Sequence, residues 1–221
     1  MNIIAHRGYW KTRSEMNTSI AFKRALDNGF GIETDIRDYC GELVISHDIP
    51  TSKSQKFDDF LKLYNNIIKI DCSKKPWLAI NIKSDGLQDK VKKVLQDNKI
   101  INYFVFDMSV PDMLHYMKND INFFIRHSEY EPFVENLDEC KGVWLDQFKS
   151  TWFCSETLRA HSNNNLYICL VSPELHGRPH LQCWDMYRKF DQNILNNIEK
   201  KLMICTDKPI LAKDFFNEKY N

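Results

Sequence analysis

Short apolar segments alternate with helical segments along the whole chain, and this alternation constrains the fold more than any other feature. Most of the apolar segments are continuous, as is typical of strands that are buried on both faces of a parallel sheet. The predicted strands are Ile3–Ala5, Gly31–Ile36, Leu43–Ser46, Leu78–Ile82, Tyr103–Phe106, Phe123–Arg126, Gly142–Leu145, Leu166–Val171 and Leu202–Cys205. The predicted helices are Thr18–Asn28, Phe57–Tyr64, Leu87–Asp97, Pro111–Lys118, Ser155–His161, Leu181–Asn197 and Ala212–Lys219. Strands that alternate with helices predict a parallel sheet covered by helices.

The number of strands favours a TIM barrel with one additional strand. Leu43–Ser46 follows Gly31–Ile36 too closely for a crossover helix, and the short link at residues 38–41 suggests a hairpin. A chain of 221 residues is near the lower limit of this fold, for which about 250 residues are typical. No repeat or linker is visible, and the connection over residues 128–141 has a weak helical signal. We therefore predict an α/β fold: a single compact (β/α)8 TIM-barrel domain over residues 1–221, with a small insertion after the second strand.

Composition and charge limit the partners. The 30 basic and 30 acidic residues give a formal net charge of zero, which argues against a nucleic-acid partner. The N-terminus does not have the pattern of a signal peptide, and no segment approaches the roughly 18 apolar residues of a membrane span. The seven scattered cysteines, without a C-x-x-C pair, predict free thiols in a reducing compartment. We expect a cytoplasmic protein with a small-molecule partner and no transmembrane segment, whereas the oligomeric state stays open.

Polar side chains cluster where the predicted strands end. In a barrel, the carboxyl ends of the strands form one rim, and this rim carries the active site. In chain order the rim would gain His6, Arg7, Glu33, Asp35, His47, Asp48, Asn81, Lys83, Asp107, Arg126, Glu129, Asp146, Glu174 and Asp207. Histidines, carboxylates and cations that converge on one rim would form a reaction site.

The residue types on this rim indicate phosphodiester chemistry. Glu33 and Asp35 are two residues apart, so both face the same side of a strand, and a pair of carboxylates suits Mg²⁺ or Ca²⁺. Arg7 and Lys83 suit an anionic group such as phosphate. Histidines titrate near neutral pH, so one can accept a proton while a second donates one; His6 and His47 are the residues predicted for these roles. Each feature alone is common in structural or solvated positions, and the prediction rests on their combination.

Five short segments resemble glycerophosphodiester phosphodiesterases, within the wider group of phospholipase-C-like phosphodiesterases. The segments are Ile4-Ala5-His6-Arg7-Gly8, Asn17-Thr18-Ser19-Ile20-Ala21-Phe22, Gly31-Ile32-Glu33-Thr34-Asp35-Ile36-Arg37, Leu43-Val44-Ile45-Ser46-His47-Asp48 and Thr206-Asp207-Lys208-Pro209. The resemblance is dense over the first fifty residues and sparse afterwards. It implies an eight-fold barrel, a divalent metal on Glu33 and Asp35, an acid/base pair of His6 and His47, and Arg7 at the phosphate.

The sequence departs from the family pattern at two places. Before the first helix the family usually has Pro-Glu-Asn-Thr, whereas this chain has Ser14-Glu15-Met16-Asn17-Thr18. The third metal carboxylate of the family lies in a motif similar to Glu-Ile-Lys, which here is Asn81-Ile82-Lys83. The amide oxygen of Asn81 can bind Mg²⁺ or Ca²⁺ but brings no charge, so we expect weaker metal binding unless another carboxylate compensates. Asp107, Glu129, Asp146 and Glu174 are the rim residues that could do so.

The loop Ser172–Pro179 follows the predicted strand Leu166–Val171 and is rich in polar residues. It is either an ordinary turn or a segment in which Glu174, His176 or Arg178 contacts the head group of the substrate.

These observations predict a metal-dependent hydrolase of a small, soluble, glycerophosphodiester-like compound. Two alternatives stay open: a cyclising transfer that uses the same histidines, and a non-catalytic module that binds a phosphorylated ligand. Asn81 in place of a carboxylate is the argument for the non-catalytic module, whereas the presence of both histidines argues against it.

Overall fold

A computed structural model describes residues 1–70, 76–134 and 139–217. In this part of the chain, ten strands and eight helices follow one another in the predicted alternation. The chain divides into two compact units, of which unit 1 comprises residues 1–3 and 124–221 and unit 2 comprises residues 4–123. None of the described helices has the length and apolar character that crossing a bilayer requires.

Unit 2 contains a parallel sheet with an antiparallel extension. Its elements are β1 (Asn2–His6, whose first two residues belong to unit 1), α1 (Ser19–Asp27), β2 (Gly31–Tyr39), β3 (Glu42–Ile45), β4 (Gln55–Lys56), α2 (Phe57–Ile70), β5 (Leu78–Ile82), α3 (Gln88–Asp97), β6 (Tyr103–Phe106) and α4 (Val110–Lys118). Strands β1, β2, β5 and β6 are parallel neighbours in that order. β3 pairs antiparallel with β2, and β4 pairs antiparallel with β3.

The antiparallel extension is the predicted insertion after the second strand. Tyr39 pairs with Glu42, and the two residues between them, Cys40 and Gly41, both have a positive φ (48° and 85°). Two residues with positive φ are the geometry of a type I′ turn, whose twist matches that of a two-residue hairpin. Strand β4, which has only two residues, was not predicted.

Unit 1 contains four parallel strands in the order β7, β8, β9, β10. Its elements are β7 (Phe124–His127), β8 (Gly142–Leu145), α5 (Ser155–Asn163), β9 (Tyr167–Val171), α6 (Leu181–Arg188), α7 (Gln192–Ile198), β10 (Leu202–Thr206) and α8 (Pro209–Asn217). No helix occurs over residues 128–134 or 139–141, in agreement with the weak helical signal there.

The helix predicted over Leu181–Asn197 is wrong as a single element. The structure has two helices, α6 and α7, with a break between them. Asp191 caps α7 by accepting a hydrogen bond from the Asn193 N–H at 2.9 Å, and it also binds Arg159 at 3.0 Å. Because an aspartate that caps the following turn cannot also continue the preceding helix, the chain changes direction here.

The ends of the other helices differ modestly from the prediction. Helix α2 continues to Ile70 rather than ending at Tyr64, and α8 begins at Pro209 rather than at Ala212, whose predicted helix extends to residues outside the described part. Thr18 precedes α1 as predicted, but its hydroxyl donates to the Glu15 carbonyl at 2.6 Å instead of capping the helix.

Each unit has its own aromatic core. In unit 2, Phe22 of α1 packs on Phe60 of α2 with ring centroids 4.5 Å apart, and both side chains are fully buried. In unit 1, Phe153 stacks on Tyr187 of α6 at 5.6 Å. None of the six cysteines in the described ranges forms a disulfide, as predicted; Cys72 lies outside those ranges.

Candidate active site

The register of three parallel strands in unit 2 collects the predicted catalytic and metal-binding side chains on one face of the sheet. His6 of β1 pairs with Glu33 of β2, and Asp35 of β2 pairs with Asn81 of β5. Paired residues on neighbouring strands project to the same face, and so do residues two apart on one strand. Four side chains that are distant in sequence therefore share one face near the carboxyl ends of these strands.

Glu33 and Asp35 are almost completely buried, each with 1% of its surface exposed. Glu33 accepts a hydrogen bond from the backbone N–H of Arg7 at 3.1 Å and lies 3.8 Å from Nε2 of His6. Asp35 lies 3.2 Å from Nε of Arg7 and 3.4 Å from Nζ of Lys83. The structure thus brings together five of the residues predicted from the sequence.

The burial of two neighbouring carboxylates has an electrostatic cost. Burial and, after it, the charge of Asp35 raise the pKa of Glu33 to about 7, although His6, Arg7 and Lys83 oppose this shift. Buried anions require compensation by charge or by hydrogen bonds. A pair that is held at this cost beside two cations and a histidine is typical of a functional site rather than of a solvated strand face.

A tight turn after β1 places Arg7. Both Arg7 and Gly8 have a positive φ, 55° and 82°. A Cβ atom on Gly8 would lie 2.8 Å from the backbone carbon of Ala21 in α1, so only glycine permits this approach of turn and helix. The turn directs both the backbone N–H and the guanidinium of Arg7 towards the carboxylate pair.

Two residues that support the carboxylates were not predicted as site residues. The amide of Asn17 donates to Oδ2 of Asp35 at 2.8 Å, and its carbonyl accepts a hydrogen bond from the Thr34 hydroxyl at 2.9 Å. Asn17 also has a positive φ of 58°. Both residues lie in segments that carry the family resemblance, and this was the one sequence signal that could have identified them.

His47 lies beside an open cleft of about 590 Å³ in unit 2, and Arg7 lines the same cleft. Nδ1 of His47 is 2.9 Å from Oδ1 of Asp48, and the side chain of Asp48 is exposed. A carboxylate can only accept a hydrogen bond, so this contact places the proton of a neutral His47 ring on Nδ1 and leaves Nε2 as an acceptor. His47 is thus positioned at the cleft rather than in the buried carboxylate cluster.

Asn81 has a defined orientation although its side chain is not ionic. Its amide nitrogen donates to Oδ2 of Asp107 at 2.9 Å, and because that carboxylate accepts only, the amide oxygen must be the other atom. This oxygen is buried and has no hydrogen-bond partner within the described part of the chain. An unpaired buried oxygen on the face of Glu33 and Asp35 fits a hard cation, which prefers oxygen ligands.

No three or more His, Cys, Asp or Glu side chains in the described ranges form a group with the geometry of a metal site. On the face described above, the oxygen donors that could hold a metal are the carboxylates of Glu33 and Asp35 and the amide oxygen of Asn81.

The remaining predicted residues lie in unit 1, where three of them form hydrogen bonds with backbone or hydroxyl groups of the same unit. Glu129 accepts hydrogen bonds from three successive backbone N–H groups of residues 148–150, at 2.9–3.0 Å. Glu174 accepts hydrogen bonds from the hydroxyls of Ser172 and Thr206. Arg178 donates to the carbonyl of Gln147 at 2.8 Å.

Asp146 and His176 form a dyad in unit 1. Nε2 of His176 lies 2.6 Å from Oδ1 of Asp146, which is buried, while Oδ2 is 3.7 Å from Arg126. The ring of His176 packs on Phe148 at 4.5 Å between centroids.

Unit 1 also contains a pair of histidines that was not predicted from the sequence. Nδ1 of His127 lies 3.0 Å from Nε2 of His161, and His161 is buried against Phe133. Burial lowers the pKa of both histidines, that of His161 to about 4. Neutral histidines in an aromatic environment indicate a packing role.

These features define an α/β fold of parallel strands and covering helices, with a polar cluster at the carboxyl ends of β1, β2 and β5. The chain matches the solved structure of a candidate glycerophosphodiester phosphodiesterase from Galdieria sulphuraria with a TM-score of 0.70 and 15% identity, over 98% of both chains. It matches a glycerophosphodiester phosphodiesterase from Agrobacterium tumefaciens str. C58 with a TM-score of 0.65 and 15% identity, over 97% of this chain and 99% of that chain.

These likenesses confirm the predicted TIM-barrel fold class and confirm, at the level of the fold, the resemblance to glycerophosphodiester phosphodiesterases. No protein-family model matches the sequence, and no curated protein is significantly similar to it.

Proposed function

We propose that this chain is a metal-dependent phosphodiesterase of the glycerophosphodiester phosphodiesterase type, which hydrolyses a small, soluble phosphodiester. The observation that carries the proposal is the buried pair Glu33 and Asp35. Side-chain nitrogens of His6, Arg7 and Lys83 lie within 4 Å of the carboxylate oxygens of this pair. The fold shared with two proteins of this type supports it. Because none of the six described cysteines forms a disulfide, we further propose a cytoplasmic location.

Glu33, Asp35 and the amide oxygen of Asn81 would hold Mg²⁺ or Ca²⁺, since all three are oxygen donors on one face of the sheet. When bound, such a cation polarises a phosphoryl oxygen and offsets the negative charge that develops on it. Arg7 and Lys83, whose side chains contact Asp35, would bind the remaining phosphate oxygens. The fork of an arginine matches two oxygens of a phosphate group, which orients the diester.

His6 and His47 would transfer the protons. One histidine takes a proton from the attacking water as its oxygen bonds to phosphorus, and the other gives a proton to the departing alkoxide. Asp48 holds His47 with Nε2 as an acceptor, whereas His6 lies beside the carboxylate pair. The assignment of the two roles stays open.

The test is turnover of a panel that contains glycerophosphocholine, glycerophosphoethanolamine, glycerophosphoglycerol and a chromogenic diester, with Mg²⁺, Ca²⁺, Mn²⁺ or EDTA. We expect metal-dependent hydrolysis that falls by at least about 100-fold in His6→Ala and in His47→Ala, the usual contribution of a general acid or base. His115→Ala is the matched control, because His115 is exposed on α4. Phosphorus NMR of the products separates hydrolysis from cyclising transfer.

Activity close to that of the wild type in either variant would remove that histidine from catalysis. No turnover of any diester, without stabilisation by a divalent ion, would instead favour the non-catalytic binding module, because a ligand of the folded state must raise its stability.

A further inference from the structure

The cleft beside His47, here named the His47 cleft, has an unusual balance of charge. Its charged and titratable lining residues are Arg7, Arg13, His47, Asp48 and Lys53. It adjoins the proposed reaction site, because Arg7 and His47 belong to both. Its volume of about 590 Å³ lies within the range of about 300–1,000 Å³ that is typical of small-molecule sites.

Three cations line the His47 cleft against a single carboxylate. Arg7 is engaged by Asp35, and Asp48, the one carboxylate of the lining, is engaged by His47. Arg13 and Lys53 lie on segments that are far apart in sequence, and neither forms an ion pair with any residue that the structure describes. Two positive charges are thus left for a ligand of this cleft.

Besides its charged residues, the lining carries hydroxyl and amide groups together with the apolar side chains of Met16 and Ile45. The hydroxyls of Thr18 and Ser46 donate to backbone carbonyls, so their lone pairs remain to accept hydrogen bonds. The hydroxyl oxygen of Ser54 accepts from the backbone N–H of Thr51, which leaves its proton to donate. These hydroxyl groups suit the hydroxyl groups of a polyol.

We propose that the His47 cleft binds one alcohol of the diester, and that this alcohol is a polyol that carries a second anionic group, a phosphate monoester or a carboxylate, which Arg13 and Lys53 bind. The inference rests on the proposed function and narrows its substrate class. It ranks phosphorylated or carboxylated glycerol and sugar alcohols above neutral ones, and it ranks cationic alcohols such as choline last.

The test compares kcat/KM for three kinds of diester that share one glycerol. They are glycerophosphoglycerol, an anionic derivative with either a phosphate monoester or a carboxylate on the second alcohol, and glycerophosphocholine. A hydrogen-bonded charge pair contributes enough for about a tenfold change in binding. We therefore expect Arg13→Gln and Lys53→Gln each to reduce kcat/KM about tenfold more for the anionic diester than for glycerophosphoglycerol. The phosphate and carboxylate arms show which anion is preferred.

Lys11→Gln is the matched control, since Lys11 is exposed in the same segment but does not line the cleft. A general loss of electrostatic attraction would appear in this variant as well and would weaken with salt for every anionic substrate. The inference is overturned if the wild type prefers glycerophosphocholine, or if Arg13→Gln and Lys53→Gln affect all three diesters equally. Neither result would contradict the proposed phosphodiesterase activity.

Direct binding separates this inference from a failure of the proposed function. Calorimetric titration with glycerol 2-phosphate needs no turnover, and we expect the affinity of the wild type to fall about tenfold in Arg13→Gln and in Lys53→Gln. Equal binding by wild type and both variants overturns the anion site, whether or not any diester is hydrolysed. Loss of binding in the variants of a chain that hydrolyses no diester supports the anion site and contradicts the proposed catalysis.

Discussion

Asn81 carries an amide where the family resemblance implies a carboxylate, and its surroundings indicate how the site is built around it. Asp107 fixes the amide so that the oxygen remains unpaired and buried on the face of Glu33 and Asp35. The carboxylate of Asp107 thus lies beside residue 81 but contacts its amide nitrogen rather than its oxygen. Asp107 has a positive φ of 69°, a conformation that is uncommon for a residue other than glycine and that often occurs at functional sites.

This arrangement predicts that Asn81→Glu tightens divalent-metal binding about tenfold or more, because a third carboxylate adds charge to the ligand set. The measurement is the dissociation constant of Mg²⁺, Ca²⁺ and Mn²⁺ by calorimetry, together with the metal-induced rise in Tm. Asn66→Glu, on the exposed side of α2, adds the same charge elsewhere in unit 2 and serves as the control. Equal metal affinity in Asn81→Glu and the wild type would show that residue 81 is not a ligand.

The burial of His161 predicts that the free energy of unfolding falls in acid. Its pKa in the folded state is about 4, mainly because it is buried, whereas a histidine in an unfolded chain titrates near 6.5. Between these pH values the unfolded chain binds a proton that the folded chain does not bind. The free energy of unfolding is therefore unaffected by this histidine above pH 6.5 and decreases as the pH falls towards 4. The difference of about 2.5 pKa units corresponds to at most about 3 kcal/mol.

Urea unfolding of the wild type and His161→Phe between pH 7.5 and 4.5 measures this effect. The variant, which cannot titrate at residue 161, should lose less stability on acidification than the wild type. His115→Phe replaces an exposed histidine and should keep the pH dependence of the wild type. Parallel pH profiles of His161→Phe and the wild type would contradict the assigned protonation state.

At the scale of elements, the apolar pattern was sufficient for nine of the ten described strands, but not for β4 or for every helix. The strands are short, continuous and buried, so their sequences differ clearly from their surroundings; all five residues of β5 are buried. The break between α6 and α7 depends instead on tertiary contacts of Asp191 with Arg159 and Ser155. Periodicity within one segment has no information on partners that are about thirty residues away.

The turn between β1 and α1 predicts a difference between two glycine substitutions. Gly8 and Gly86 have the same φ of 82°, but a Cβ atom on Gly86 would meet nothing within 4 Å, whereas on Gly8 it would meet the backbone of α1 at 2.8 Å. The left-handed conformation alone should cost about 1–2 kcal/mol in Gly86→Ala. Gly8→Ala should cost about 1–3 kcal/mol more, because α1 must also move.

Chemical denaturation of both variants checks this prediction, and Gly86→Ala supplies the correction for backbone strain. In Gly8→Ala, the displaced turn should also weaken turnover, since Arg7 lies in it. Equal free energies of unfolding for the two variants would contradict the prediction. They would mean that α1 moves away from the added methyl group without a loss of stability.

At the scale of the whole molecule, the fold class could be predicted because alternation of strands and helices is a property of the entire chain. The candidate site could be predicted in part, because residues at the carboxyl ends of parallel strands share one edge. Glu33, Asp35 and Asn81 follow this rule. The positions of Asn17 and Thr34, and the backbone contacts of Glu129 and Arg178, follow from side-chain contacts that no local pattern contains.

The prediction of a single domain over residues 1–221 concerns how the two compact units unfold. Strand β1 contributes residues to both units. If they form one cooperative domain, a substitution in unit 2 must lower the free energy of global opening equally for every core amide. Native-state hydrogen exchange of Gly8→Ala measures this for β2 and β5 of unit 2 and for β8 and β9 of unit 1. We expect the same loss in all four strands, and a smaller uniform loss in Gly86→Ala. A loss confined to β2 and β5 would instead mean that the chain contains two independently unfolding domains.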